Sequence, residues 1–132
     1  AGYSIDQKNL GKGFLEPEKL AESLLAEERW RQILSSLVVC FFARGIYKED
    51  MVVKALNVAG FSFTSEDIYR IGESIHKDKY DFKIREGFSF DSLRIPKRIF
   101  ETRSPVGEWD EEYIRRALGY VSKVLLNNRP LP

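Results

Sequence analysis

The chain is 132 residues long, and 43% of its residues are hydrophobic and 31% are charged. This composition excludes intrinsic disorder, and the length is sufficient for one hydrophobic core. Twenty-one Lys and Arg residues against 20 Asp and Glu leave a net charge of +1, which argues against a dedicated nucleic-acid binder. The single cysteine excludes an internal disulfide framework and cannot by itself hold a metal ion or cluster.

The sequence predicts no membrane span and no secretion signal. Its longest near-continuous apolar run, Leu37 to Ala43, has seven residues, whereas a span requires about 20. The N-terminus lacks the pattern of a signal peptide, and a free cysteine without a signal favours a cytoplasmic location. The chain begins with Ala1, and its only methionine is Met51. Either an initiator was removed or the sequence is a piece of a longer protein.

The first predicted helix follows an irregular N-terminal arm, Ala1 to Phe14. Pro17 suits a first helical position. Apolar residues then recur at spacings of three and four as far as Phe41, which describes one helical face, and Gly45 is the expected end. A polar block from Ala26 to Arg29 could bend or interrupt this helix.

Two further helices are predicted in the middle of the chain. One covers Lys48 to Val58, and the next begins at a capping residue, Thr64 or Ser65, and ends at Gly87. A strand is the alternative near the end of this third helix, because apolar residues also recur there at every second position: Phe82, Ile84, Phe88 and Phe90. Glu86 interrupts that alternation, so a helix followed by a loop is favoured.

An extended, proline-containing connector, marked by Ile95-Pro96 and Ser104-Pro105, precedes the last helix. That helix begins after Asp110, a favourable N-cap, and ends near Asn127. The sequence therefore predicts an all-α fold. We expect residues 1–132 to form a single domain, an irregular bundle of four to five helices.

Two single residues could carry chemistry. Cys40 lies in an apolar segment, where a cysteine is usually an inert core residue; the alternative is a metal or cluster ligand that needs other ligands from elsewhere. His76, the only histidine, could serve as a general base. Its neighbours from Lys77 to Lys79 instead predict a solvated face, and no catalytic partner stands at a recognisable spacing.

The stretch from His76 to Phe90 interleaves basic and aromatic residues, which is the combination that binds single-stranded nucleic acid. Four acidic residues cancel the charge locally, so a packed aromatic face with a solvated rim is the favoured interpretation. A phosphate-binding glycine loop and a nucleophile elbow are both absent from the sequence.

An ordered series of motifs runs through residues 2–108. It includes Gly2-Tyr3-Ser4-Ile5, Glu28-Arg29-Trp30 and the cysteine-containing run Ser36-Leu37-Val38-Val39-Cys40-Phe41-Phe42-Ala43-Arg44-Gly45. It continues with Ala55-Leu56-Asn57-Val58-Ala59-Gly60, Thr64-Ser65-Glu66-Asp67-Ile68, Ile71-Gly72-Glu73-Ser74-Ile75, Arg85-Glu86-Gly87-Phe88 and Ile95-Pro96-Lys97-Arg98. Each motif alone is weak, but in this order they resemble the C-terminal region of tungsten-containing aldehyde ferredoxin oxidoreductases.

The resemblance implies a helical domain that closes over a cofactor. Enzymes of this family oxidise an aldehyde to a carboxylic acid and pass electrons through a [4Fe-4S] cluster to ferredoxin, with tungsten held by two pterins. Cys40 matches the fourth cluster cysteine, and cluster iron selects thiolate ligands. In the family's "D-x-x-G-L-C" motif, which contacts a pterin, Ser35 stands at the Asp position, Val38 at the Gly position and Val39 at the Leu position. The resemblance thus implies a backbone pterin contact at Val39 and the loss of a carboxylate contact at Ser35.

The family's other cluster cysteines, its cofactor domain and its proposed catalytic Glu and His have no counterpart here. We therefore expect the isolated chain to bind no tungstopterin or [4Fe-4S] cluster and to have no catalytic residue. The expected partners are the N-terminal cofactor-bearing part, ferredoxin and, through exposed apolar surface, a second copy of the chain; nucleic acid and membrane are not expected. The alternative is a stand-alone helical interaction or scaffold domain descended from the family, without redox activity.

Overall fold

The computed structural model describes residues 13–103 and 107–126. The predicted irregular arm, except for its last two residues, and the Ser104-Pro105 part of the connector lie outside these ranges. The described residues form α-helices and one 3₁₀ turn and contain no β-strand, which confirms the all-α prediction. The α-helices are α1 (Pro17–Ser36), α2 (Glu49–Val58), α3 (Ser65–Arg85), α4 (Arg98–Glu101) and α5 (Glu111–Leu126).

The starts of α3 and α5 are set by side-chain caps. Thr64 and Asp67 form a reciprocal capping box, in which the Asp67 N–H donates to Thr64 Oγ1 at 3.2 Å and the Thr64 N–H donates to Asp67 Oδ2 at 2.9 Å. Asp110 Oδ2 accepts the N–H of Tyr113 at 3.1 Å. Each cap provides a partner for a backbone N–H that has none within the helix. The capping residue of α3 is therefore Thr64, and the predicted cap at Asp110 is confirmed.

The structure corrects one predicted boundary and confirms another. The first helix ends at Ser36, well before the predicted Gly45, and the polar block from Ala26 to Arg29 does not interrupt it. The third helix continues to Arg85 and is capped by Gly87, as predicted, with a φ of 93° that favours glycine; the alternative of a strand there is wrong. The connector holds the one-turn helix α4, which begins directly after Pro96 and Lys97.

The helices pack as two compact units, and one of them is formed by Glu27–Asp81. Its core consists of the buried residues Ile33, Val52 and Ile68, from α1, α2 and α3. A close approach of α3 to α1 supports this core. A Cβ added to Gly72 would lie 2.8 Å from the carbonyl oxygen of Arg29, so only glycine fits there without a shift of the backbone.

The other unit is formed by Ala1–Ala26 and Phe82–Pro132. The rings of Phe14, Trp109 and Tyr113 contact one another, with centroids 4.7–5.6 Å apart. Arg116 of α5 forms an ion pair with Glu18 of α1 at 2.9 Å. The aromatic contacts therefore join the residue stretch before α1 to the start of α5, and the ion pair joins α1 to α5. The prediction of one domain over the whole chain remains a prediction.

No helix within the described ranges combines the length and the apolar character that a membrane crossing requires.

Candidate functional site

The residues that the sequence singled out, Ser35, Val39 and Cys40, lie together where α1 ends. The helix closes with two hydrogen bonds of the Schellman type, in which the Val39 N–H donates to the Leu34 carbonyl at 3.4 Å and the Val38 N–H donates to the Ser35 carbonyl at 3.1 Å. This pattern requires a left-handed residue at its turning point. That residue is Val38, with φ of 57°.

Val38 is unusual at that position. The ends of α2 and α3 show the same pair of hydrogen bonds, and there the turning residues are Gly60 and Gly87. Among the described non-glycine residues, Val38 alone has a positive φ. A β-branched side chain is strained in the left-handed region because its Cβ crowds the backbone. The backbone at Val38 thus has the conformation that suits the glycine found at this position of the family motif. The valine side chain is strained in that conformation.

Cys40 follows this turn and precedes the 3₁₀ turn of Phe41–Ala43. Its backbone is extended, and its carbonyl accepts the N–H of Ala43 at 3.0 Å. The thiol belongs to an exposed residue. The expectation of a buried core cysteine is therefore wrong: α1 ends four residues earlier, so Cys40 does not follow the helical face that packs into the core.

Two arginines hold the ring of Phe41, the residue after the cysteine. The guanidinium carbons of Arg31 and Arg44 lie 4.7 and 4.8 Å from the centre of this ring. Arg44 also donates from Nη1 to the Phe41 carbonyl at 3.3 Å, and Arg31 forms an ion pair with Glu27 at 2.8 Å. Cation–π contacts of this kind stabilise by about 0.5–1 kcal/mol at exposed sites. The arginines therefore stabilise the 3₁₀ turn that directly follows Cys40.

Large apolar side chains beside Cys40 are left in solvent. Val38 is 91% exposed, Phe42 is 94% exposed and Ile46 is 62% exposed. Single exposed apolar residues are ordinary, but a group of them within nine residues of the chain indicates a contact surface. We call residues 38–46 the cysteine segment. It presents three large apolar side chains to solvent beside the cysteine.

The sequence predicted that His76 lies on a solvated face. This prediction is wrong, because His76 is only 2% exposed. Its Nε2 lies 2.9 Å from Oε2 of Glu28 on α1, and its Nδ1 has no hydrogen-bond partner among the described residues. Nearby Tyr80 contacts the imidazole edge-on at 5.1 Å, and burial, followed by the charge of Glu28, raises the pKa of Tyr80. The signal that sequence reasoning missed is the spacing of four and eight residues from Gly72 and Ile68, which places His76 on their face of α3.

The described residues contain no group of three or more His, Cys, Asp or Glu side chains arranged to hold a metal ion. His76 and Cys40 are not brought together by any contact in the structure. The arrangement therefore offers one accessible thiol on a fixed turn, which is one potential ligand rather than a complete site.

A family model described as aldehyde ferredoxin oxidoreductase, domains 2 & 3, matches residues 3–125 of the chain. This range extends beyond the resemblance over residues 2–108 and includes nearly all of α5. No curated protein and no solved structure matches the chain.

Proposed function

The chain belongs to the aldehyde ferredoxin oxidoreductase family, and from this premise we propose that it is the C-terminal part of such an enzyme. The complete enzyme oxidises an aldehyde to a carboxylic acid and transfers the electrons through a [4Fe-4S] cluster to ferredoxin in the cytoplasm. In this proposal the chain supplies one cluster ligand and covers the cofactors, and it has no activity alone.

The exposed thiol of Cys40 is the observation that carries the proposal. Cluster iron binds cysteine thiolate, and an accessible thiol on a fixed turn suits a ligand that is completed by cysteines from another polypeptide. The cluster would supply one-electron transfer when bound. The chain's own residues would hold the thiol in place, through the arginine contacts of Phe41, and exclude water from around it, through Val38 and Phe42.

The fit to the pterin is poorer. Ser35 is exposed and offers a hydroxyl where the family motif has a carboxylate, and its carbonyl already accepts the Val38 N–H. Val39 is half-buried, and its N–H donates a hydrogen bond to the Leu34 carbonyl. Because the carboxylate is replaced by a hydroxyl and the Val39 N–H already donates within the helix end, we propose the cluster, and not the pterin, as the group that this segment would hold.

The surface beside Cys40 suits the cofactor-bearing part as its partner. The exposed side chains of Val38, Phe42 and Ile46 would be buried there, and apolar burial stabilises by about 25 cal/mol per Å². If that part is absent, the same surface favours association of the chain with itself.

A stand-alone interaction domain is the second candidate function. The observation that favours it is the pair of departures at the motif: a serine replaces the acid at position 35, and an exposed valine replaces the glycine at position 38. This candidate retains the helical fold and the apolar surface but gives Cys40 no ligand role.

The test replaces Cys40 with serine in the complete native protein and records low-temperature electron paramagnetic resonance after reduction with dithionite. Because serine is a poor ligand for cluster iron, we expect Cys40→Ser to lose or change the cluster signal. The control is Ser74→Ala, which alters an exposed residue on α3. An unchanged signal in Cys40→Ser would refute the ligand role, and the absence of a cluster signal from the parent protein would favour the interaction domain.

A further inference from the structure

We propose that the segment Arg94–Arg103, here called the basic segment, is a docking surface for an acidic face of a partner protein. Four of its ten residues are cations, and a single residue, Glu101, is acidic. The chain as a whole has a net charge of only +1, so the positive charge is concentrated here. The cations are Arg94, Lys97, Arg98 and Arg103.

The cations of the basic segment differ from most arginines of α1, α3 and α5 in having no carboxylate partner within the described ranges. In those helices, carboxylates at 2.5–2.9 Å pair with Arg29, Arg31, Arg70, Arg115 and Arg116. Within residues 13–103 and 107–126, by contrast, no salt bridge or hydrogen bond joins a side chain of the basic segment's cations to a carboxylate. Glu101 lies one turn from Lys97 and Arg98 and is paired with neither. All four cations are exposed. Their charge is therefore available to a partner.

The backbone limits how far apart these charges lie. A segment of ten residues spans at most about 30 Å, and α4 shortens it through the hydrogen bond from the Phe100 N–H to the Lys97 carbonyl at 2.9 Å. Ile99 is 38% exposed among the cations. Arginine is enriched at protein interfaces, and a polar, solvent-accessible rim is typical of them, so this segment suits the charged part of such a surface.

The same features favour a protein over nucleic acid or membrane. The segment presents no exposed aromatic ring on which a base could stack, since Phe100 is half-buried. Its only large apolar side chain in solvent is Ile99, which is too little for insertion into a lipid surface. Charge complementarity to an acidic protein requires neither an exposed aromatic ring nor a large apolar surface. The inference goes beyond the proposed function, because it involves neither Cys40 nor a cofactor.

The experiment measures binding of fluorescein-labelled poly-L-glutamate to the full chain by fluorescence anisotropy at low salt. The test variant replaces the four cations of the basic segment with glutamine: Arg94→Gln, Lys97→Gln, Arg98→Gln and Arg103→Gln. The control variant makes the same change of charge at four dispersed, exposed lysines: Lys19→Gln, Lys48→Gln, Lys54→Gln and Lys123→Gln. Both variants should fold, because none of these side chains has an ion-pair partner in the described part of the chain; thermal unfolding by circular dichroism checks this.

We expect poly-L-glutamate to bind the parent chain and the control variant alike, and the test variant about tenfold more weakly. Equal weakening in both variants would overturn the proposal, because net charge and not the segment would then explain the binding. Absence of binding to the parent chain would also overturn it. Parallel titrations use an oligothymidylate and phosphatidylserine vesicles. If either one binds the parent chain more tightly than poly-L-glutamate does, and the test variant loses that binding, the partner is nucleic acid or membrane and the proposal is overturned.

Discussion

The valine at the end of α1 gives the sharpest test of the local structure, through the substitution Val38→Gly. Val38 has a φ of 57° and is 91% exposed, so its side chain contributes strain and almost no packing. A non-glycine residue in the left-handed region costs about 1–2 kcal/mol. Glycine also raises the conformational entropy of the unfolded chain. This lowers the stability by about 0.4–1 kcal/mol and so opposes the relief of strain. We expect a net stabilisation of about 1 kcal/mol.

The chain offers a matched control in Val58, which is 90% exposed and is the last residue of α2. Its helical backbone is not strained, so Val58→Gly should destabilise by about 0.5 kcal/mol through the lower helix propensity of glycine. The assay is urea denaturation followed by circular dichroism, supported by thermal melts, in which 1 kcal/mol corresponds to about 4 °C for a chain of this size. If both substitutions destabilise the protein equally, Val38 is not strained and the account of this turn is wrong.

Three further predictions concern the unit formed by Glu27–Asp81, and urea denaturation checks each of them. Gly72→Ala should destabilise by about 1–2 kcal/mol, because the added Cβ would lie 2.8 Å from a carbonyl oxygen of α1. The control is Gly119→Ala in α5, which has open space around it and should stabilise by about 1 kcal/mol. Equal effects of the two substitutions would contradict the close approach of α3 to α1. His76→Ala removes a buried ring and its contact with α1 and should cost about 2 kcal/mol; a variant as stable as the parent would show that the ring is not packed. Hydrogen bonds from the side chain and backbone of Thr64 lower the pKa of Asp67, so the stability that this carboxylate contributes is present above its unfolded pKa, about 4, and is lost as the pH falls through its folded value. Asp67→Asn should therefore lose stability less steeply between pH 5 and pH 2 than the parent, and parallel curves would refute the assignment.

The helix starts were predictable from the sequence because capping is local. Thr64 and Asp110 stand directly before the first turns of α3 and α5 and bond to N–H groups three residues ahead. The end of α3 was predictable for a similar reason, since glycine readily adopts the left-handed backbone found at Gly87. The all-helical fold follows from these signals and the apolar spacing.

The end of α1 and the environment of its neighbours were not predictable by the same reasoning. Val38 takes the left-handed position without the glycine that signals it, so the apolar run beyond Ser36 resembled a continuing helix. Cys40 was consequently expected in a core, although it is exposed. His76 has charged neighbours in the sequence, but helical geometry places it on the face of Gly72, where tertiary packing determines its burial.

The cluster role of Cys40 remains a prediction, and its residue-level support came from the resemblance, since composition and spacing alone favoured an inert cysteine. The structure adds the accessible position of the thiol and the arginine contacts that hold its turn. Neither could be read from the sequence, because the contact between Arg31 and Phe41 depends on how the chain folds back after α1.

The most direct test of the proposed function is an analysis of the native protein captured from its own cells with an antibody raised against this chain. The account predicts that the captured material contains polypeptide well beyond the 15.3 kDa of this sequence, either in one chain or in a complex, together with iron and acid-labile sulfide in equal amounts. A protein of the size of this chain without iron or sulfide would contradict it, and the family relationship would then describe ancestry and not activity.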